Sequence, residues 1–182
     1  MGISDRGGDE GRWDCEDMWR LQARTKQVCI VDQYPLPRIE DMFTAIAGGK
    51  KFTKIDLSQA YLQLTLAEES RKYTTINTSR GLYQFRRMPF GVASATAIFQ
   101  RTIENILRGL PLTVVRVDDI LVTGTDDVNH LYNVEQVLSR LEEAGLKAKR
   151  PKCQFFLPEV VYMGYIVDEH GHRPNPEKTK SI

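Results

Sequence analysis

Two adjacent carboxylates, Asp118 and Asp119, interrupt an otherwise apolar run at residues 114–122. The run is rich in Val and Ile on both sides of the pair, which predicts two short β-strands. Burying an unpaired carboxylate costs several kcal/mol, so the pair does not suit the interior of a strand. The simplest arrangement is a β-hairpin with the pair at its tip, because Asp tolerates the backbone angles of a tight turn. At that tip both carboxylates can meet a divalent cation.

A third carboxylate, Asp56, ends another predicted strand at residues 51–56. Alternation along this strand places Phe52, Lys54 and Asp56 on one face. Three carboxylates at strand ends suit one or two Mg²⁺ ions, which take oxygen ligands and leave room for phosphates. Taken alone, however, an Asp-Asp pair is more typical of an ordinary solvated turn.

The motifs around these carboxylates resemble the reverse transcriptase of gypsy-type retrotransposon polyproteins. In chain order they are Tyr34-Pro-Leu-Pro-Arg-Ile39, Phe52-Thr-Lys-Ile-Asp56-Leu-Ser-Gln-Ala-Tyr61, Leu82-Tyr-Gln-Phe-Arg-Arg-Met-Pro-Phe-Gly91, Val117-Asp-Asp-Ile-Leu-Val122, Ala144-Gly-Leu-Lys147, Lys152-Cys153 and Met163-Gly164-Tyr165. Several motifs in the family's order are far more specific than any one of them. The resemblance covers residues 34–182 and implies an RNA-directed DNA polymerase fragment that adds nucleotides to a primer 3′-hydroxyl.

The same resemblance implies a two-metal site that uses Mg²⁺, for which Mn²⁺ can substitute. Asp56 and Asp118 would bridge the two ions, Asp119 would be a more peripheral ligand, and the Leu57 carbonyl would add an oxygen on the nucleotide side. The alternative for Asp56 is a simple cap at the end of a strand.

Further residues would contact nucleotide and primer if the resemblance holds. Tyr61 would exclude a ribose 2′-hydroxyl, and Phe90-Gly91 would form the turn beneath the incoming nucleotide. Met163, Gly164 and Tyr165 would form the hairpin that grips the primer backbone. The structural alternatives are a half-buried core aromatic for Tyr61, a helix-entry turn for Phe90-Gly91 and an ordinary hairpin glycine for Gly164.

The order of predicted elements is β-α-β-β-α-β, with strands at 51–56, 113–117 and 120–124, helices at 93–108 and 127–144, and a further strand after 146. This order predicts an α+β fold with a ferredoxin-like split βαβ core, which is also the layout of a polymerase palm. We expect residues 1–30 to be a poorly defined, mobile segment. Residues 31–182 would form the palm with partial fingers, a primer-grip hairpin and no complete thumb.

Local patterns predict the remaining elements. A helix begins near Ile39, a strand covers residues 62–66, a hairpin joins 73–77 to 82–85, and strands cover 155–157 and 160–167. Asn175-Pro176 is typical of a helix start. In the helix at 127–144, Asp126 is the expected N-cap and Gly145 the expected end. Its apolar stripe consists of Val128, Leu131, Val134, Leu138 and Leu141.

The composition suits one globular core: the chain has 182 residues, 41% hydrophobic and 27% charged, with a net charge of +1. This charge balance does not by itself predict a nucleic-acid partner. The three cysteines are scattered and form no CxxC pattern, so we expect them to be reduced in an intracellular protein, cytoplasmic or nuclear and not secreted. No membrane partner is expected. The expected partners are an RNA or DNA template with its primer, deoxynucleoside triphosphates and other domains of a retroelement polyprotein.

Two features favour an alternative, an inactive or domesticated remnant that folds and binds nucleic acid without polymerising. After the strand predicted at 28–31, the family's Asp-aromatic-Arg-x-Leu-Asn segment is missing, which predicts a truncated fingers region with an internal deletion. Arg116 also occupies the aromatic place of the pattern aromatic-x-Asp-Asp. We expect its guanidinium to reach the carboxylates in place of a metal, although it could instead point to solvent or to a primer phosphate. A third possibility, another Mg²⁺ phosphoryl-transfer enzyme, is disfavoured by the Pro-Phe-Gly and Met-Gly-Tyr stretches.

Overall fold

The structure, a computed structural model, describes residues 34–176. The predictions for residues 1–33, and for the helix continuing beyond 176, lie outside the described residues. The helices are α1 (Ile39–Ala45), α2 (Glu68–Arg71), α3 (Ala95–Ile106) and α4 (Asp127–Glu143), with short 3₁₀ helices at Ala60–Gln63, Lys72–Thr74 and Arg150–Lys152. The strands are β1 (Lys51–Asp56), β2 (Thr75–Thr78), β3 (Gly81–Gln84), β4 (Thr113–Arg116), β5 (Asp119–Gly124), β6 (Gln154–Leu157), β7 (Glu159–Tyr162), β8 (Tyr165–Asp168) and β9 (Gly171–Pro174).

Four strands form the central sheet in the order β4-β5-β1-β6, and each neighbouring pair is antiparallel. Helix α3 lies between β1 and β4, after α2 and the β2-β3 hairpin, and helix α4 precedes β6. The strands and long helices of this unit follow the predicted order, with the hairpin inserted. The register pairs Asp56 of β1 with Asp119 of β5. The last residue of β1 and the first residue of β5 therefore lie side by side, at the same end of the two central strands.

The two faces of this sheet pack against different partners. Ile55, Val115, Ile120 and Val122 join one buried cluster with apolar residues of α3 and α4. The opposite face presents Phe52, Val114 and Leu121 to α1 and to the separate three-stranded sheet β7-β8-β9. Full burial of a side chain of this size stabilises the fold by roughly 1.5–3 kcal/mol. The sheet is thus held from both sides, and the ends of β1 and β5 are positioned with it.

Helix α4 has its predicted ends but a different orientation about its axis. Asp126 accepts a hydrogen bond from the Asn129 N–H at 2.8 Å, which confirms the N-cap. Of the predicted apolar stripe, only Val134 and Leu141 are buried; the other three residues, Val128, Leu131 and Leu138, are exposed. The inward face instead includes His130, Asn133 and Val137.

Polar contacts explain this orientation of α4. His130 is fully buried, and its Nε2 and Nδ1 lie 2.7 Å from the Thr53 hydroxyl and the Lys51 carbonyl. The Asn133 amide donates to the Thr123 carbonyl at 2.8 Å. Because unsatisfied buried polar groups are costly, these bonds to β1 and β5 override the apolar pattern. A methyl group on Gly124 would lie 2.4 Å from the backbone nitrogen of His130, so a side chain at this position would push helix α4 away from strand β5.

The strand predicted at residues 62–66 is wrong, because residues Ala60–Gln63 form a 3₁₀ helix and only Thr65 forms an isolated bridge, to Arg87. The Gln63 side chain donates to the Ser58 carbonyl and accepts from the Lys147 N–H, both at 2.6 Å. These bonds to distant backbone favour the turn over an extended chain. None of the helices between residues 34 and 176 combines the length and the apolar character that crossing a lipid bilayer requires.

Candidate active site

The hairpin between β4 and β5 brings the carboxylates to the end of β1. Its two-residue tip is Val117-Asp118, and Asp119 is already the first residue of β5. The predicted tip is therefore displaced by one residue. The Leu57 N–H donates to the Asp118 carbonyl at 2.9 Å, which joins the end of β1 to the tip. Asp56, Asp118 and Asp119 thus come from backbone segments that are directly bonded or paired.

The tip is held in an unusual conformation by a buried glutamine. Val117 has φ = 56°, a left-handed value that a β-branched residue rarely adopts. Gln100 of α3 is fully buried, and its Oε1 accepts from the Val117 N–H at 2.6 Å while its Nε2 donates to the Val115 carbonyl at 3.0 Å. Such strain persists only where surrounding contacts impose it. Gln100 therefore positions the Asp118 backbone.

Lysines, and not Arg116, neutralise the carboxylates in this structure. Lys54 Nζ lies 3.1 Å from Asp119 Oδ1, and Lys152 Nζ lies 3.6 Å from Asp56 Oδ2. Arg116 is the cross-strand neighbour of Asp119 but makes no ion pair among residues 34–176. The expectation that its guanidinium would satisfy the carboxylates is wrong in this structure, where Lys54 pairs with Asp119 and Lys152 with Asp56.

Asp118 differs electrostatically from its neighbours. It is an exposed residue at the tip, yet partial desolvation of its carboxyl by the surrounding protein raises its pKa above the ordinary value. The negative charges of Asp119 and Asp56 raise this pKa further, because each disfavours a second anion nearby. The three aspartates therefore interact, as neighbouring acidic groups should when no cation separates them.

The three carboxylates fit a hard divalent cation chemically, since Mg²⁺ and Mn²⁺ prefer oxygen ligands. Within residues 34–176, no three His, Cys, Asp or Glu side chains converge closely enough to hold a metal ion. Two of the three carboxylates are paired with lysines, Asp119 with Lys54 and Asp56 with Lys152. Metal binding would thus require side-chain rearrangement on a backbone that already has the strand ends together.

Tyr61 lies in the 3₁₀ helix that follows β1 and contacts the predicted nucleotide-binding turn. Its ring packs edge-on against Phe90, with centroids 5.4 Å apart, and against Phe99 of the core at 5.7 Å. Its hydroxyl lies 2.9 Å from that of Thr96. Phe90 is partly exposed, and Gly91 has φ = 87°, which glycine adopts without strain. Tyr61 and Phe90-Gly91 are therefore neighbours, as a shared pocket would require.

The hairpin between β7 and β8 places Met163 and Gly164 at its two-residue turn, with φ values of 50° and 86°. Tyr165 packs edge-on against Phe43 of α1 at 5.2 Å, so this hairpin is anchored to the body of the protein. Tyr162 is fully buried and its hydroxyl donates to the Asp119 carbonyl at 3.1 Å. Burial raises the pKa of Tyr162, which keeps it a neutral donor. The hairpin is thus linked directly to the backbone of Asp119.

The sequence analysis did not assign a role to Lys54, Gln100, Lys152 or Tyr162. For Lys54 a signal was present, since strand alternation already placed it on the face of Asp56. For Gln100 the signal was weaker: it lies between the apolar residues Ala97 and Ile103, three positions away on either side along the helix. Their partners lie far away in sequence, so only the folded chain reveals them.

Comparison with known proteins supports the resemblance found in the motifs. The family model described as reverse transcriptase (RNA-dependent DNA polymerase) matches residues 16–167. The retrovirus-related Pol polyprotein from transposon 297 of Drosophila melanogaster is 37% identical over 161 residues, which is 87% of this chain and 15% of that protein. The Pol polyprotein from the Drosophila melanogaster transposon gypsy is 36% identical over 168 residues, 91% of this chain and 16% of that protein. The resemblance to gypsy-type polyproteins is confirmed.

Solved structures give the same result for the fold. The foamy viral protease-reverse transcriptase dRH in complex with ds DNA superposes with a TM-score of 0.81 at 21% identity, covering 88% of this chain and 28% of that one. The foamy viral protease-reverse transcriptase in complex with RNA/DNA hybrid gives a TM-score of 0.75 at 22% identity, covering 84% and 21%. This chain therefore spans only about a sixth of the transposon polyproteins and about a quarter of these structures.

Proposed function

Because the chain belongs to the reverse transcriptase (RNA-dependent DNA polymerase) family, we propose that it forms the palm of an RNA-directed DNA polymerase. The observation that supports this most strongly is the pairing of Asp56 with Asp119 and the 2.9 Å bond from the Leu57 N–H to the Asp118 carbonyl. The four-stranded sheet with α3 and α4 would be the ferredoxin-like split βαβ core of that palm.

In this proposal Asp56 and Asp118 would hold two divalent cations, Mg²⁺ or Mn²⁺, with the Leu57 carbonyl and Asp119 as further ligands. The bound ions would supply activation of the primer 3′-hydroxyl and neutralisation of the pyrophosphate charge. The protein contributes position: Gln100 fixes the tip that bears Asp118, and β1 fixes Asp56. Such prearrangement matters because nucleotidyl transfer depends mainly on alignment and charge stabilisation.

The nucleic acid would lie between the carboxylates and the β7-β8 hairpin. Met163, Gly164 and Tyr165 would contact the primer backbone, where Gly164 permits close approach. Tyr61 would limit the space at the sugar of the incoming deoxynucleotide, and Phe90-Gly91 would lie beneath its base. The template would be RNA or DNA, and the remaining polyprotein domains would be partners, in an intracellular setting.

A second function is supported by the lysine pairs. Because Lys54 and Lys152 neutralise Asp119 and Asp56, we propose as the alternative that the chain is a remnant that binds template and primer without polymerising. The sequence lacks the expected fingers segment, and closure of the fingers supplies much of the nucleotide positioning. We therefore expect little processive synthesis from this chain alone, and extension over hundreds of nucleotides would contradict that expectation.

Primer extension on a poly-rA template with Mg²⁺ tests both functions. The chain is compared with its Asp118→Asn, Asp119→Asn double variant, and gel-shift binding of the labelled template-primer is measured in parallel. Addition of a few nucleotides by the first chain and none by the variant supports the polymerase. Binding without any addition identifies the remnant. A chain that neither binds the template-primer nor adds a nucleotide would refute both.

A further inference from the structure

Lys54 lies two residues before Asp56 on β1, so alternation directs both side chains to the same face of the sheet. Its Nζ lies 3.1 Å from Asp119 Oδ1 on the neighbouring strand. We propose that Lys54 is a built-in counter-ion that competes with divalent cations for the Asp119 carboxylate. This inference rests on the metal-binding role proposed above for the three aspartates, and it makes Lys54 a positioning residue for that site.

The surroundings of this ion pair distinguish it from the other lysine pairs. The side chains of Lys54 and Asp119 are each only 23% exposed, whereas Lys152 beside Asp56 is 59% exposed. Lys51 of the same strand pairs with Asp127 at 3.2 Å, but that pair is solvated on both sides. Water screens an exposed pair and leaves it little net attraction, while a sheltered pair interacts more strongly. Lys54 therefore holds its carboxylate more firmly than Lys152 does.

The backbone leaves Asp119 few alternatives. In the sheet, the backbone of Asp119 is paired with Asp56 on one side and with Arg116 on the other. The Asp119 carbonyl accepts a hydrogen bond from the buried Tyr162 hydroxyl at 3.1 Å. Only rotation of its side chain can change the partner of the carboxylate. A cation near Asp56 and Asp118 would therefore compete with Lys54 for the Asp119 carboxylate, because the ammonium group already occupies Oδ1 and its positive charge repels the cation.

Removing the ammonium group should strengthen cation binding. A unit positive charge a few ångströms from a half-exposed site opposes an incoming dication, and its loss should tighten binding about tenfold. Lys54→Met keeps the length of the side chain and removes the charge. Lys54→Arg keeps the charge and should retain weak binding.

Calorimetric titration of the full 182-residue chain with Mn²⁺ alone measures this effect. Lys54→Met should bind Mn²⁺ about tenfold more tightly than the parent chain, and Lys54→Arg should bind within about twofold of it. Lys51→Met is the matched control, because it removes the same charge from the same strand at the pair with Asp127. Equal affinities for Lys54→Met and the parent chain would overturn the proposal, as would equal tightening by Lys51→Met. Lys54→Gln replaces Lys54→Met if circular dichroism shows that the latter does not fold.

A metal-free measurement separates this proposal from the proposed function. Thermal unfolding in EDTA of Lys54→Met, Asp119→Asn and the double variant forms a cycle, and the two changes should be non-additive if the side chains are paired. If the two substitutions change the stability additively, the proposal that Lys54 is the counter-ion of Asp119 is overturned, whereas the proposed polymerase function is unaffected. Asp118→Asn is titrated with Mn²⁺ as well. If it binds as the parent chain does, the proposed metal site is wrong and the counter-ion inference falls with it.

Discussion

Replacing Gln100 with Leu should loosen the hairpin that bears Asp118. Gln100 is fully buried in α3, and its amide bonds the backbone on either side of Arg116, at the Val115 carbonyl and the Val117 N–H. Leucine has a similar volume but forms neither bond. The substitution therefore tests the two hydrogen bonds to the hairpin backbone rather than the volume that the side chain fills.

The expected cost follows mainly from the two backbone groups that lose their partner, because Glu104, the third partner of the Gln100 amide, keeps its hydrogen bond with Tyr34. Each buried, unsatisfied group costs roughly 1–3 kcal/mol. Val115 is buried and Val117 is partly accessible, so water recovers some of the loss at the tip. We expect a decrease in the free energy of unfolding of roughly 2–4 kcal/mol. For a chain of this length that corresponds to a fall in Tm of about 4–16 °C.

Urea denaturation measures the loss, and Mn²⁺ titration measures its effect on the site. Because Val117 keeps φ = 56° only under restraint, the freed tip should relax, move Asp118 and weaken cation binding. Gln136→Leu is the matched control, the same substitution at a half-buried position of α4. One buried backbone group without a partner should cost at least about 1 kcal/mol. A smaller decrease in the free energy of unfolding, relative to this control, would refute the claim that the Gln100 hydrogen bonds hold the hairpin.

For three further perturbations, the structure predicts whether the stability of the fold should rise or fall. Burial lowers the pKa of His130 below its ordinary value of 6.5, so the folded chain resists a proton that the unfolded chain accepts. Stability should therefore be complete above pH 6.5 and decline below it, and His130→Gln should show a smaller decline between pH 7.5 and 5.5 in urea melts. Asp118 has a raised pKa, so its charge opposes folding near neutral pH and Asp118→Asn should raise Tm there. That gain should shrink toward pH 4, near the unfolded value of 3.8; a gain that is independent of pH would contradict this reasoning. Gly124→Ala places a methyl group 2.4 Å from the backbone nitrogen of His130 and should destabilise the fold by roughly 2–3 kcal/mol. An unchanged melting temperature would show that α4 can shift away from β5 without cost.

The sequence by itself determined the elements whose signals are local. The hairpin around Asp118 follows from β-branched runs interrupted by turn-forming acids, and β1 follows from the alternating pattern that Asp56 closes. Helix α4 begins directly after its Asp126 cap and ends before Gly145, where φ is 69°. These features depend on residues within a few positions of each other, so the chain encodes them before it folds.

Only the tertiary structure decided which groups meet. The apolar pattern of α4 predicted a face that includes Val128 and Leu131, but bonds from His130 to β1 turn that face outward. The sequence similarly favoured Arg116 as the partner of the carboxylates, and Arg116 is indeed paired with Asp119 in the sheet, but the ion pair of Asp119 forms with Lys54 of the strand on its other side. The physical reason is the same in both cases. A buried hydrogen bond or ion pair joins residues from distant segments, and its energy exists only after the sheet has brought those segments together.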